Sequence, residues 1–163
     1  MNKNEQRAMQ DLRLYTNFIT NWNSNNKNVQ YKVAPIINDR FYPFDLIQVR
    51  EIDTITGMTL STSIVELKSR EIPSDKYNSL LVDFQKVQEM QRYMRSMNCL
   101  GYIVAFFTDG KMSIHSIDKD FNYDLNSEMF YNIPLETCEN PKRGDKMMTH
   151  LYFKDAKILD YKP

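Results

Sequence analysis

Residues 61–68 read Ser-Thr-Ser-Ile-Val-Glu-Leu-Lys, an alternation that suits a β-strand but ends in charge. Side chains two apart on a strand share a face, so Glu66 and Lys68 stand on the side that Ile64 marks as core-facing. A buried ion without compensation costs more than the roughly 2–7 kcal/mol of an unpaired neutral polar group. Either the two groups pair with each other or a ligand satisfies them. A hard divalent cation such as Mg²⁺ is one such ligand, taking one or two carboxylates plus phosphate and water. Glu66 alone is too little, but the preceding apolar run, FDLIQVREI, carries Asp45 near its start, just after Pro43 and Phe44. If the two runs pair antiparallel, Asp45 near the start of one lies beside Glu66 near the end of the other. Two carboxylates and a lysine then converge. That set suits hydrolysis of a phosphodiester: acids hold a metal that polarises the phosphate and acidifies a bound water, and a lysine orients or deprotonates that water. Partial burial favours the neutral form such a lysine needs.

An acid, any residue and a lysine occur in that order four times, at Glu66, Asp109, Asp155 and Asp160, so the tripeptide alone carries little. The copy at Glu66 differs in ending a β-branched run and in following an aspartate-bearing strand at hairpin distance. Pro43-Phe44-Asp45 followed by Ile64-Val65-Glu66-Leu67-Lys68 resembles the bipartite signature of the PD-(D/E)xK nuclease superfamily, the restriction-endonuclease-like fold. The resemblance covers roughly residues 5 to 107. It implies a metal-dependent endonuclease acting on DNA, with Asp45, Glu66 and the Leu67 carbonyl as ligands of Mg²⁺, for which Mn²⁺ can substitute. Lys68 would serve the water, and Lys86 would match a polar residue on the helix after the third strand. Arg70 and Tyr77 carry over as phosphate contacts, and Glu5 as the acid of the first helix. Pro and Asp are separated here by Phe44, a looser form of the motif.

The elements that must position these residues follow from periodicity. Ala8, Leu12, Tyr15 and Ile19 recur at helical spacing, predicting a helix over residues 4–20 with Glu5 on the same stripe, where an acid also complements the helix dipole. The asparagine-rich residues 21–28 predict a loop, with Trp22 packing over the core. VQYKVAPI, FDLIQVREI and MTLSTSIVELK predict three strands in an antiparallel meander. Leu80, Phe84, Val87, Met90, Met94 and Met97 predict a second helix, with Lys86 about a quarter-turn from the centre of its apolar stripe. LGYIVAFF and MSIHSI predict strands joined by a turn at Asp109-Gly110, with His115 an ordinary strand residue. Residues 118–163 are poorly periodic, and THLYFKDAKIL is their one clear strand. The expected fold is α+β or α/β: a helix, a three-stranded meander, a helix and further strands, giving a mixed central sheet flanked by helices. One domain over residues 1–163 is expected, with a core of about 5–117 and a mixed C-terminal extension of about 118–163.

Composition narrows the function classes. The 163 residues are 42% apolar, with 9 Phe, 10 Tyr and 10 Met, enough for one core. Twenty-one basic residues balance twenty-one acidic ones, so DNA must be gripped by a local patch, for which Lys68, Arg70, Lys76, Lys86, Arg92 and Arg95 are candidates. Glu71, Asp83 and Glu89 dilute it. Four separated glycines exclude a phosphate-cradling loop, and Cys99 and Cys138 have no zinc or disulfide spacing. With no apolar leader and no run long enough to span a membrane, a soluble cytoplasmic protein is expected, of a size typical of a phage, a mobile element or a restriction-repair system. Cutting both strands of a duplex calls for two sites, and hence a homodimer, although no coiled-coil seam supports one. Two other readings stay open. Glu66 and Lys68 could form a weak salt bridge on an edge strand, and the scaffold could be an inactive module that binds protein or DNA.

Overall fold

Glu66 lies on an interior strand. The computed structural model describes residues 3–36, 46–123, 127–134 and 142–161, and in it β3 (Thr59–Arg70) is flanked on both sides. On one side it pairs antiparallel with β2 (Leu46–Asp53), which pairs with β1 (Val29–Pro35) in the expected meander. On the other it pairs in parallel with β5 (Leu100–Phe107). β6 (Lys111–Ile117) returns antiparallel to β5, and β9 (Lys157–Asp160) closes the row, giving a six-stranded mixed sheet in the order β1-β2-β3-β5-β6-β9. The edge-strand reading of Glu66 is thereby overturned. This is a mixed α+β architecture, a mixed central sheet with helices on its two faces.

Two layers cover the sheet. α1 (Lys3–Asn25) buries Tyr15 and Ile19 against Val65 and Leu67 of β3, Val104 and Phe106 of β5, and Met112 of β6. α2 (Phe84–Met97) buries Val87, Met90 and Met94 on the opposite face, against Ile64 and Ile103. Beside α2 lies a three-stranded sheet, β4-β8-β7, made of β4 (Ser79–Asp83), β8 (Arg143–Tyr152) and β7 (Ser127–Pro134). Its Leu80, Val82 and Leu151 join the same core. Odd-numbered residues of β3 thus face α1, and even-numbered ones face α2. Among the described residues, no helix is long and apolar enough to cross a membrane.

Three expectations need correction. α1 continues through Asn25 because its polar end satisfies itself. The Asn25 and Asn26 amides donate to the carbonyls of Asn21 and Trp22 at 2.9 Å, and Ser24 Oγ donates to Asn21 at 2.8 Å, supplying partners that last-turn carbonyls lack. Trp22 is 39% exposed and packs on the helix flank beside Phe18, with Lys157 over its ring, and not over the core. The second helix begins at Phe84. Leu80 and Phe84 are four apart, a spacing that places residues on one face of a helix and equally of a strand, and Leu80 and Val82 point inward with strand alternation. Asp83 ends the ambiguity as the N-cap, its Oδ1 accepting from the Gln85 amide at 2.9 Å.

The weakly periodic C-terminal third supplies β7, β8 and β9. THLYFKDAKIL divides between β8 and β9 around a 3₁₀ turn at Phe153–Asp155, because the two strands belong to different sheets. His115 is an interior residue of β6, bonded through Nε2 to Ser113 Oγ at 3.1 Å. Cys99 is a buried free thiol, and Cys138 lies outside the described residues.

Candidate active site

The charged end of β3 is compensated from two elements. Glu66 is 1% exposed, and its Oε1 contacts the Lys68 ammonium two residues along the same strand face. Lys86, in the first turn of α2, places its Nζ 3.4 Å from the same oxygen. The helix position a quarter-turn off the apolar stripe does reach the sheet. The lysine side chains are 18% and 25% exposed, so their stems cover the carboxylate while their tips keep access to water. Burial pushes the Glu66 carboxyl up, but Lys68 and then Lys86 outweigh it and hold the group below the usual glutamate range. These contacts are ionic. Both ammonium groups converge on the same oxygen, Oε1.

Strand register sets the direction of the backbone groups beside Glu66. Leu46, the first described residue of β2, is registered with Glu66. Its carbonyl accepts from the Ile36 amide at 2.9 Å and therefore faces β1. Backbone groups alternate along antiparallel strands, so Leu46 and Glu66 form a non-hydrogen-bonded pair, and the Leu67 N–H and C=O turn toward the β2 side. No β2–β3 pair beyond Leu46 and Glu66 occurs among the described residues. Asp45 itself lies outside them.

No protein-family model matches the chain, and no curated protein matches it. Among solved structures it is similar to Hjc, a Holliday junction resolvase from the archaeal hyperthermophile Archaeoglobus fulgidus. The identity is 12% and the TM-score 0.43, over 65% of this chain and 76% of that one.

The other sequence-predicted residues divide by sheet face. Arg70 shares the face of Glu66 and Lys68 and donates to the Leu81 carbonyl at 2.9 Å, tying β3 to β4. Burial pulls the Arg70 guanidinium below its ordinary range, with Glu66 and Asp11 opposing. Tyr77, 59% exposed, sits in the connection from β3 to β4 with the Lys76 ammonium 5.7 Å from its ring centroid. Arg70 and Tyr77 line one cleft. Glu5 lies in the first turn of α1, the helix that covers the other face of the sheet. Much of the expected cationic patch is engaged locally: Arg92 pairs with Glu89 at 2.5 Å, and Arg95 donates to the Lys119 carbonyl.

One acid escaped the sequence reading. Asp11 is buried on α1 and accepts a hydrogen bond from Ser69 Oγ at the end of β3. Its signal was available, since position 11 falls between Ala8 and Tyr15 on the apolar stripe, where a carboxylate needs a partner. Among the described residues, no three His, Cys, Asp or Glu side chains cluster as metal ligands do. The buried, ionised Glu66 carboxylate, held here by two ammonium groups, is of the type that serves as one ligand of a hard cation. Chemically, the cluster provides a desolvated anion and two ammonium groups at one point on a sheet face. Such an arrangement can hold a charged ligand and stabilise developing negative charge.

Proposed function

We propose that the chain is a metal-dependent nuclease that hydrolyses DNA phosphodiester bonds. The observation that carries this reading is the buried Glu66 carboxylate, kept ionised by Lys68 and Lys86 on an interior strand. The PD-(D/E)xK resemblance of Pro43 to Asp45 and Ile64 to Lys68 supports it. Glu66, Asp45 and the Leu67 carbonyl would hold Mg²⁺, or Mn²⁺ in its place. When bound, the ion supplies Lewis-acid polarisation of the phosphate and a bound water of lowered pKa. Lys68, the ammonium beside Glu66, would orient the attacking water, whose proton would leave to solvent once the bound ion has acidified it. Lys86 stays near the scissile phosphate and offsets the charge that accumulates on its oxygens. A homodimer would present one such site to each strand of a duplex.

The test is cleavage of plasmid, linear, single-stranded and branched DNA with Mg²⁺ or Mn²⁺, comparing wild type with Glu66→Ala and Lys68→Ala. Metal-dependent cutting that both substitutions abolish is the expected result. A second reading rests on the same contacts, since two lysines already compensate Glu66 and the cluster could be purely structural in a module that binds protein or DNA. Wild-type protein that cuts no DNA and binds no divalent ion would select that reading.

A further inference from the structure

Beyond Lys68 the same face of β3 leads to Arg70, which lines a cleft of about 380 Å³ between the main sheet and the β3–β4 connection. At about 3.3 Å per residue, Arg70 is roughly 13 Å along the strand from Glu66, about the reach of two nucleotides of an extended strand. The cleft has aromatic and aliphatic walls, among them Ile72, Tyr77, Phe107 and Phe153, and its polar groups are tied internally, Arg70 to the Leu81 carbonyl at 2.9 Å and Ser79 Oγ to His150 Nδ1 at 2.8 Å. Its size is at the lower end for small-ligand pockets and suits one flat heterocycle.

This cleft is held open by bonds on both of its edges. Ser74 donates to Asp109 Oδ2 through its amide at 2.9 Å and its hydroxyl at 2.6 Å, fastening the β3–β4 connection to the β5–β6 turn. The Thr108 amide donates to the Ile72 carbonyl at 3.2 Å, and the Phe153 amide to the Asn78 carbonyl at 3.0 Å. Tyr77 is thus an exposed aromatic on a braced segment, with the Lys76 cation beside its ring. A preformed apolar slot with an aromatic at its mouth and cations beside it matches what an unstacked base requires. The ring stacks, and the attached phosphate meets the Lys76 ammonium beside Tyr77.

We infer that this cleft receives a single unstacked nucleobase from the strand held at Glu66, so that the preferred substrate is DNA with an unpaired nucleotide about two positions from the scissile phosphate. The inference rests on the nuclease reading and assigns Tyr77 to base stacking instead of phosphate contact.

The experiment uses the full chain and a duplex carrying 2-aminopurine at a single unpaired position, with fully paired duplex as control. Affinity and acrylamide quenching of the probe are measured with Ca²⁺, and cleavage with Mg²⁺. The expected result is probe protection on binding, with affinity about tenfold weaker in Tyr77→Ala, the order for losing one base–aromatic stack, and restored in Tyr77→Phe. Tyr77 is exposed, so these variants keep the fold, which circular dichroism verifies. DNA that is bound and cut while the probe stays fully quenchable, or Tyr77→Ala binding like wild type, overturns the base pocket and leaves the nuclease reading standing. Probe protection that Tyr77→Ala removes, without cleavage by wild type, keeps the pocket and overturns the nuclease reading. Absence of any DNA binding overturns both.

Discussion

Replacing Lys68 by methionine isolates the energetics of the Glu66 cluster, because methionine keeps most of the aliphatic stem and deletes the ammonium. In the variant, Glu66 retains Lys86 at 3.4 Å, a pair whose gross attraction is about 5 kcal/mol at an effective dielectric near 20. Lys68 is the closer partner, so the attraction lost is of at least that order. Breaking a fully buried pair costs about 3–5 kcal/mol. Lys86 remains as a second counter-charge, and the Lys68 tip already reaches water, so the expected loss is about 2 kcal/mol at pH 7.5. For a chain of this size that corresponds to a fall in Tm of about 4–8 °C. The carboxyl is held below its unfolded value, so its contribution is present above the ordinary glutamate range and is lost as pH falls through the folded value. The difference between wild type and variant must therefore shrink in urea unfolding series run from pH 7.5 to pH 4. Glu66→Gln combined with Lys68→Met should recover about 1 kcal/mol of the loss. A variant as stable as wild type at pH 7.5, or a deficit that does not change with pH, would refute this account.

His115 gives a separate acid limb: burial lowers its pKa to about 4 against the partly opposing Asp155, so it is neutral in the fold and charges in the unfolded chain. Stability should be complete above pH 6.5 and fall by about 3 kcal/mol between pH 6.5 and 4, and His115→Asn should flatten that limb in the same urea series. Asp83→Ala removes both the cap on Gln85 and the 2.6 Å pair with Lys146, and should cost about 1–2 kcal/mol in thermal unfolding. Asp83→Asn keeps the cap and should cost about half as much.

The meander and the β5–β6 hairpin were legible because their strands alternate or run continuously apolar, and Gly110 at φ 75° supplies the turn that closes the hairpin. Helical phase placed Lys86 on the flank of α2, and the family resemblance, not phase, brought it to the Glu66 site, where its Nζ lies 3.4 Å from Oε1. β4 was not, because its inward residues continue into α2 at a spacing both structures share. β7 and the first part of β8 were hidden for a different reason, while Thr149–Tyr152 of β8 fell within the strand expected at THLYFKDAKIL. Charged and apolar residues interleave in Arg143–Tyr152, where Thr149 and Leu151 are the buried positions. Asp11 was passed over although its place on the apolar stripe marked it, because its hydroxyl partner, Ser69, is distant in sequence and is brought to it only by the fold.

Asp83 is at once the last residue of β4 and the cap that starts α2, three residues before Lys86. β4 is held by β8, where Val82 is paired with Thr149, and Lys146 of β8 grips the capping carboxylate. The placement of Lys86 against Glu66 is thereby tied to β8: whatever shifts Lys146 or the β4–β8 pairing shifts the cap, the start of α2 and the second counter-charge of Glu66 together.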